Sequence, residues 1–352
     1  MTVAVTEAGW LWRRGGGLDA GRPEVQADVQ ALRRDQAAPV RTAPGRLVAG
    51  IAARRRAGAG PVALVPCDNT PGNGALAAQV VTDLAGLVDA GLAAWVQESV
   101  AVVTTMVDRI TPGTEAGDAE AVLMSTGRED RCPVVAEPFR EWVLDGRFPA
   151  GRPRWQDAGA TFAGDVTPYE QRKLWLLNGA HSLLAYAGSI AGHVTVAEAI
   201  ADPTCRLWLE QWWELASAHL DQPAADLAAY REALLQRFAN PRMRHRLDRI
   251  AADGSQKLPI RILPVLRTER TAGALPEGAT RVLAAWVCHL RGLGAPVADP
   301  RADELVALAG GPLSEAVARV AGALEPELGA DAELVAAVAD QCRLLAALGS
   351  PR

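Results

Sequence analysis

The chain has 352 residues, 49% of them hydrophobic and 22% charged, which is typical of a globular protein large enough for two domains. Its net charge of −5 excludes the strongly basic surface that nucleic-acid-binding proteins carry. The first residues lack the layout of a signal peptide, and no apolar run is long enough to cross a bilayer. We therefore predict a cytoplasmic protein without a nucleic-acid or membrane partner.

Five cysteines are scattered along the chain and never form a C-x-x-C pair. An odd number at irregular spacing predicts neither a disulfide framework nor a zinc cluster, so we expect no bound metal. Arginine far outnumbers lysine. Each lysine that remains is therefore a candidate for a functional role.

The first half of the chain alternates short apolar runs with helical patterns. Val3–Thr6 is a β-branched strand candidate, and Gly45–Arg56 has a helical pattern. Pro61–Pro66 is apolar on both faces, as a buried parallel strand would be. A long helix over 75–97 and an apolar run over 99–104 follow. Strand, helix and strand in this order predict a right-handed crossover onto a parallel sheet.

The second half, from Pro168 onward, has mostly helical patterns separated by Gly and Pro. The predicted helices cover 169–184, 194–200, 205–220, 224–238, 281–293, 303–309, 313–324 and 331–348. The change of pattern near Gly151–Trp155 predicts two domains, 1–155 and 156–352. The predicted fold class is α/β followed by all-α, with an incomplete parallel sheet before a mainly helical domain.

Three polar side chains stand out in the second half. Lys173, Asn178 and His181 fall on a predicted helix that begins at Thr167 and Pro168. At about 100° per residue, all three project from one half of the helix, among apolar neighbours. This spacing is a weak pattern by itself. A helix lysine usually extends its ammonium to solvent, and a single histidine is usually a core or surface residue.

These three residue types suit the oxidation of a secondary alcohol. A lysine in an apolar pocket can take or give the hydroxyl proton, because desolvation lowers its pKa toward neutrality. An asparagine NH₂ group is a neutral donor for a developing alkoxide. A histidine one turn further along the helix can orient substrate hydroxyls.

The K-x-x-x-x-N-x-x-H spacing resembles the signature of the mannitol dehydrogenase family. This family includes mannitol 2-dehydrogenase, arabinitol and sorbitol dehydrogenases, and the fructuronate and tagaturonate reductases. Further blocks match in the family's order over roughly residues 1–260, and the later helices carry no sharp motif. The matching blocks are Thr6-Glu7, Cys67-Asp68-Asn69 with Asn73-Gly74, Met106–Pro112, Glu137-Pro138-Phe139, Gly151-Arg152-Pro153, Asp165-Val166 with Tyr169-Glu170, Gly188–Gly192, and Arg249-Ile250 with Asp253–Lys257.

The resemblance implies a fold and an activity. It implies a Rossmann-type dinucleotide-binding domain over 1–155 and a helical domain that binds substrate and holds catalytic residues over 156–352. The implied reaction interconverts a sugar alcohol or aldonate with its ketose or keto-acid. The implied cofactor is NAD, with NADP not excluded, and the reaction depends on a lysine without a metal.

The resemblance also implies roles for the catalytic residues. Lys173 would be the general acid and base. Asn69 and Asn178 would polarise the reacting carbonyl, and His181 would bind and orient a substrate hydroxyl. From the residues alone, Asn69 in its Pro- and Gly-containing loop is a turn residue.

Binding roles follow in the same way. Val107, Asp108 and Asn69 would lie near the nicotinamide, with Asp108 also contacting substrate. Arg249 and Lys257 would reach the distal hydroxyls or carboxylate of the substrate. From the residues alone, Asp108 is an ion pair or a helix cap, and Lys257 is a solvated charge.

One part of the family pattern has no match in this sequence. Family members begin with a strand and a Gly-x-Gly-x-Phe-x-Arg loop that binds the cofactor pyrophosphate, and neither this loop nor G-x-G-x-x-G is found here. The run Gly15–Gly17 follows Arg13 and Arg14 rather than a strand, and we predict a loop. The expected Rossmann-type domain therefore lacks its N-terminal part. Because a glycine-rich loop supplies most of the phosphate binding, we expect the chain by itself to bind NAD weakly.

The sequence leaves several alternatives open. Sugar acids such as mannonate or fructuronate need cations, which Arg249, Lys257 and neighbouring arginines could supply; neutral mannitol needs only hydroxyl partners, and mannitol 1-phosphate is a third option. We expect a monomer or a weak oligomer. The alternative to an enzyme is a truncated, inactive remnant that acts at most as a helical interaction domain. The missing loop favours the remnant, whereas the intact Lys173, Asn178 and His181 favour the enzyme.

Overall fold

The computed structural model describes residues 1–13 and 16–348. The chain divides into two compact units. The first unit contains Met1–Arg109 and Phe139–Glu170, and the second contains Ile110–Pro138 and the chain from Gln171 onward. An α/β part before a mainly helical part confirms the predicted fold class. The boundary at residue 155 stays a prediction.

A three-stranded parallel sheet organises the first unit. Its strands are β1 (Thr2–Val3), β2 (Val62–Pro66) and β3 (Val100–Val102), in that order. The central strand β2 is buried along most of its length, which confirms the prediction from its apolar run. Strand β1 is shorter than predicted, because a short 3-10 helix at Glu7–Trp10 follows it closely.

Four helices accompany this sheet: α1 (Pro23–Arg34), α2 (Ala43–Arg56), α3 (Asn73–Val88) and α4 (Ala90–Ser99). The prediction of one helix over 75–97 is wrong, because the chain breaks at Asp89. That residue is extended, and its carboxylate accepts a hydrogen bond from the Leu92 N–H at 2.6 Å, which caps a new helix.

The core of the first unit joins these helices to the sheet. Its largest fully buried side chains are Trp10, Leu32, Ile51, Leu64, Leu84 and Leu92. Burial of apolar area of this kind is the main stabilising contribution to the unit.

A second sheet follows β3 along the chain. Strand β4 (Thr104–Asp108) pairs antiparallel with β5 (Glu141–Asp145), which pairs parallel with β6 (Thr161–Phe162). The sequence pattern did not predict β5 or β6. Strand β5 has a charged residue at each end and only five residues, so its apolar signal is short.

The second unit is helical. It contains α5 (Ala116–Thr126), most of α6 (residues 167–190), and eleven later helices in the described part of the chain. These are α7 (Val196–Ala201), α8 (Pro203–Ser217), α9 (Ala224–Phe238), α10 (Leu247–Ala251), α11 (Gly254–Arg261), α12 (Leu263–Thr271), α13 (Glu277–Leu290), α14 (Ala302–Leu308), α15 (Leu313–Leu324), α16 (Pro326–Ala330) and α17 (Ala332–Leu348).

Helix α13 forms the centre of this unit. Every residue from Gly278 to Leu290 is buried, and the helix packs against α8 and α17. Its burial on all sides places it in the middle of the helical core, together with the polar side chains of Thr280, Arg281 and His289. The predicted helices at 224–238 and 313–324 match α9 and α15, whereas α10, α11 and α12 were not predicted.

The glycine run of the sequence lies near the start of the first unit. Gly15 falls outside the described residues, and Gly16 and Gly17 have positive φ angles of 112° and 76°. Within the described ranges, no helix combines the length and apolar character needed to cross a bilayer.

Candidate active site

Helix α6 carries the lysine, asparagine and histidine, but its backbone is not a regular α-helix. Lys173–Gly179 and Leu184–Gly188 are π-helical, so the prediction of a regular helix is wrong at these turns. In an α-helix, residues five apart point about 140° away from each other. A π turn closes i→i+5 hydrogen bonds, which bring residues five apart towards the same side. The π turn therefore rotates Asn178 towards the side of Lys173.

Lys173 is a buried residue with 8% exposure. It precedes buried Leu176 and Leu177 on the same helix. Its neighbour Arg172 is equally buried and lies over the Tyr230 ring, 4.2 Å from the ring centroid. Lys173 is therefore buried rather than extended into solvent, as a helix lysine usually is.

A pocket of about 630 Å³ lies in the second unit. Four of the predicted site residues line it: Asn178, His181, Arg249 and Lys257. They come from α6, α10 and α11, which are far apart in sequence, so the fold brings them together. Lys173 is not among the lining residues of this pocket.

His181 lies deep in the pocket wall with 6% exposure. Its ring packs at a tilt against Phe238 and meets the His245 ring edge-on, each at a centroid distance of 4.8 Å. Burial, together with His245 and nearby cations, holds the His181 pKa well below its usual range. The ring is therefore neutral at pH 7. Its Nε2 has no hydrogen-bond partner among the residues described, so it can bind a hydroxyl.

Lys257 is held in place by backbone carbonyls of α10 and of the turn between α10 and α11. Its Nζ donates to the carbonyls of Ile250 at 3.2 Å and Ala252 at 2.5 Å, and lies 3.9 Å from the Asp253 carboxylate. Burial and the nearby Arg261 lower the Lys257 pKa to about 8. It is a fixed cation in the pocket, not the freely solvated charge that the sequence alone would favour.

Arg261 is a pocket residue that the sequence analysis missed. It lies one turn after Lys257 on α11, and its Nη1 donates to the Asn178 carbonyl and the Ser182 Oγ, both at 3.4 Å. Burial lowers its pKa to about 10, and its Nε has no partner among the residues described. The i, i+4 spacing of Lys257 and Arg261 was the available signal, because such residues share one helix face.

His245 was missed as well. Burial lowers its pKa to about 4, so it is neutral beside His181. Its neighbours Arg244 and Arg246 line the pocket too. Arg244 bridges the Glu115 and Asp118 carboxylates at 2.6 and 3.1 Å, which fastens the start of α5 to the pocket wall.

Asn69 lies in the first unit, in the loop that follows β2. Buried Asn73 fixes this loop: its Nδ2 donates to the carbonyls of Asp68 at 3.2 Å and Thr105 at 2.9 Å, and its Oδ1 accepts from the Thr105 N–H at 3.0 Å. The Asp68 carboxylate accepts from the Trp10 Nε1 at 3.0 Å. Strand β4 and the 3-10 helix at Glu7–Trp10 therefore hold the loop of Asn69.

Val107 and Asp108 end strand β4 of the first unit. Asp108 is only 2% exposed and stands opposite Glu141 in the strand register. The sequence suggested an ion pair or a helix cap for this residue, and it ends a strand rather than a helix. The roles predicted for Val107, Asp108 and Asn69 stay predictions.

A separate cluster contains His193, Asp202 and Cys205, whose ligand atoms lie within 4.8 Å of one another. The sequence spacing did not reveal this group. The His193 ring contacts the Asp202 carboxylate at 3.0 Å, and that carboxylate also accepts from the Thr204 N–H at 2.7 Å to cap α8. The Asp202 carboxylate is thus already engaged by the His193 ring and by the start of α8.

Comparison with known proteins matches both parts of the chain. The family model for the mannitol dehydrogenase Rossmann domain matches residues 2–157, and the model for the mannitol dehydrogenase C-terminal domain matches residues 165–345. This chain belongs to the mannitol dehydrogenase family.

Individual members of the mannitol dehydrogenase family show how far the similarity extends. The chain is 36% identical to the D-mannonate oxidoreductase of Escherichia coli (strain K12) over 83% of its own length and 60% of that protein. It is 37% identical to a mannitol 2-dehydrogenase of Cereibacter sphaeroides, over 81% of this chain and 59% of that one. The chain thus spans about 60% of the length of these relatives.

A solved structure agrees with this membership. The Pseudomonas fluorescens mannitol 2-dehydrogenase, solved as a ternary complex with NAD and D-mannitol, superposes with a TM-score of 0.81 at 32% identity. The match covers 98% of this chain and 71% of that one. The predicted family is confirmed.

Proposed function

We propose that this member of the mannitol dehydrogenase family is an NAD-dependent oxidoreductase that interconverts a sugar alcohol or aldonate with its ketose or keto-acid. The observation that carries the proposal is the pocket where Asn178, His181, Lys257 and Arg261 converge. A concave site that combines neutral donors with fixed cations suits a polyhydroxylated substrate. The activities named for the E. coli and C. sphaeroides relatives support the same reaction class.

In the proposed reaction, each residue has one task. The cofactor, when bound, accepts or returns the hydride. Lys173 takes the hydroxyl proton at Nζ during oxidation and returns it during reduction. The Asn69 and Asn178 amides polarise the reacting oxygen. Neutral His181 binds a neighbouring hydroxyl and fixes the orientation of the substrate.

The residues that we propose to contact the cofactor lie in the first unit. Ligands of α/β sheets bind outside the carboxyl ends of the strands. Asn69 follows β2, and Val107 and Asp108 end β4, so these residues would contact the nicotinamide. They do not supply a pyrophosphate loop. The weak binding of NAD by this chain alone therefore stays a prediction, which an NADH titration decides.

For the substrate class, we favour a sugar acid over a neutral polyol. Six cationic side chains line the pocket, against the two carboxylates of Glu115 and Asp118. Both of these carboxylates already pair with Arg244. Arg261 has an Nε without a hydrogen-bond partner among the residues described, and an unpaired buried cation is costly unless an anion binds it. A substrate carboxylate or phosphate would supply that anion.

The oxidation of NADH by the purified chain tests the reaction, with fructuronate, tagaturonate and fructose offered in turn. We expect turnover with at least one ketone, and a fall in kcat of about 10²–10⁴-fold in Lys173→Ala. Lys173→Arg keeps the charge but cannot release a proton, so it should be equally slow. A Lys173→Arg variant with wild-type kcat would refute the acid–base role. No turnover with any ketone, at an NADH concentration that the titration shows to be saturating, would favour the inactive remnant.

The substrate class has its own test. We expect Arg249→Gln and Arg261→Gln to lower kcat/KM for fructuronate by about 10–100-fold, since a charged hydrogen bond contributes about 1.5–3 kcal/mol. The value for fructose should change much less. The exposed Arg154→Gln serves as control. Equal losses for both ketones would show that the two arginines do not recognise an anion.

A further inference from the structure

The first π segment of α6, Lys173–Gly179, receives two hydrogen bonds from another helix. Trp212 and Trp213 are adjacent on α8, and both are almost fully buried. The Trp212 indole donates to the Trp175 carbonyl at 2.8 Å, and the Trp213 indole donates to the Leu176 carbonyl at 2.7 Å. Two consecutive carbonyls of one π turn therefore accept from two consecutive indoles.

Indole donors favour a widened turn over a regular one. In a regular helix, each carbonyl lies along the axis and accepts from the N–H four residues later. A side chain that bonds into this ladder displaces the local backbone, which is a known cause of helix distortion. The Trp212 and Trp213 donors act on Trp175 and Leu176, in the middle of the π segment Lys173–Gly179.

Gly179 permits this close contact. A Cβ atom on Gly179 would lie 2.8 Å from two ring atoms of Trp212, closer than side chains tolerate. The last residue of the π segment is thus the one that gives the indole room. The glycine and the two tryptophans fit together as one packing arrangement.

We propose that Trp212 and Trp213 are positioning residues that hold the π register between Lys173 and Asn178. Their indoles keep the turn widened, which keeps Asn178 rotated towards the side of Lys173. The inference rests on the proposed function for its catalytic consequence, because it concerns the residues assigned to proton transfer and carbonyl polarisation. Its structural part stands independently of any activity.

A purely packing role would leave the indole N–H groups without a specific task. Buried tryptophans usually find some hydrogen-bond partner for the N–H group. Here both partners belong to the same five-residue interval that separates Lys173 from Asn178. Phenylalanine keeps most of the ring and removes the N–H, so it separates packing from positioning.

The test compares Trp212→Phe and Trp213→Phe with Trp208→Phe. Trp208 lies on the same helix, half-buried, with Arg281 over its ring at 5.4 Å, and provides the matched control. Hydrogen–deuterium exchange of the backbone over residues 173–181 should differ from that of the wild type in the first two variants, because their turn returns to another hydrogen-bond register, and should stay unchanged in the control. For ketone reduction, kcat should fall by at least tenfold while KM changes by less than about threefold, as for loss of a carbonyl-polarising donor.

The outcomes separate the two proposals. If both Phe variants keep wild-type exchange over 173–181 and wild-type kcat, the positioning role is wrong. If one variant does not fold, the other still decides, because each indole bonds its own carbonyl. If the wild-type chain shows no turnover, the proposed function fails, and the exchange rates alone decide whether the tryptophans hold the π register.

Discussion

Lys173 and Lys257 are the two lysines in the 352 residues, and both lie in the second unit near predicted site residues. Their surroundings differ. Lys173 is buried on α6, whereas Lys257 lines the pocket with its Nζ on two backbone carbonyls. An arginine-rich chain that keeps lysine at only these positions fits a need for an amine there, because a guanidinium cannot release its proton near neutral pH.

The pKa of Lys257 leads to a pH prediction at the scale of one residue. A folded-state pKa of about 8, lowered mainly by burial, leaves Lys257 charged at pH 7 and neutral above pH 9. The KM for a keto-acid should therefore rise as the pH passes 8, since the free pocket then loses a cation. KM should be measured for fructuronate and fructose between pH 6.5 and 9.5.

Two comparisons make this measurement decisive. Lys257→Arg keeps its charge throughout the range, so its KM for fructuronate should show no rise near pH 8. Fructose carries no anion, and its KM should not follow the titration of Lys257. A wild-type KM for fructuronate that stays constant from pH 6.5 to 9.5 would exclude Lys257 as an anion-binding residue.

Asn73 supports a second residue-scale prediction. Its side chain satisfies the Thr105 N–H and two carbonyls, all buried. Asn73→Ala leaves these groups without that partner, and we expect the free energy of unfolding to fall by about 1–3 kcal/mol in urea denaturation. Gln79→Ala, an exposed change on the same helix, should have little effect. Equal stability of the two variants would contradict the role of Asn73.

At the scale of elements, the sequence predicted which segments are helices and strands better than it predicted their internal form. Helices α2, α9 and α15 and strand β2 follow directly from their apolar periodicity. The π segment Lys173–Gly179 could not be predicted in this way, because the hydrogen bonds that we propose to hold it come from tryptophans 37 residues later in the chain.

The break between α3 and α4 and the short strand β5 were missed for a related reason. The periodicity of α3 continues into α4, so the pattern hides the break that the Asp89 cap produces. Strand β5 is short, and its edges are defined by pairing with β4 and β6 rather than by its own sequence. Contacts distant in sequence decide these features.

Gly179 provides a prediction for helix α6. An added methyl group would collide with the Trp212 ring, so Gly179→Ala should lower the free energy of unfolding by about 1–3 kcal/mol. Gly50→Ala is the matched control. Gly50 lies exposed on α2 with open space around the added atom, and alanine there should stabilise the protein by about 0.5–1 kcal/mol. Thermal or urea unfolding would show opposite signs for the two; a stabilised Gly179→Ala would contradict the close packing.

At the scale of the whole molecule, the sequence placed Asn178, His181, Arg249 and Lys257 in one site through the family resemblance, and the fold does gather them in one pocket. It did not reveal Arg261 or His245. Burial lowers the pKa of both side chains, and a sequence pattern does not report burial of this kind; for Arg261 only its i, i+4 spacing from Lys257 was available as a signal.

The segment Ile110–Pro138 belongs to the second unit although it precedes β5 in the chain. Glu137 secures it: the carboxylate accepts from buried Arg237 of α9 at 2.7 and 2.9 Å and from the Ile110 N–H at 2.6 Å. Removal of one partner from a buried ion pair leaves the other charge uncompensated. We expect Glu137→Ala to cost about 3–5 kcal/mol of unfolding free energy.

Limited proteolysis should report the same change, with faster cleavage inside 110–138 in Glu137→Ala. Glu129→Ala removes an exposed pair with Arg131 in the same segment, and should leave both stability and cleavage unchanged. If Glu129→Ala and Glu137→Ala behave alike, the buried pair does not secure the segment.

The second unit is formed by two separate parts of the chain, and this affects the design of chimeras between family members. Residues 111–115, Asp118 and Val135 line the same pocket as residues from α6, α10 and α11. A chimera joined at a single crossover near residue 155 would take one wall of the pocket from one parent and the rest from the other. To transfer substrate preference intact, a graft needs three junctions, one at each unit boundary. Ile110–Pro138 and the helices of the second unit then come from the same parent.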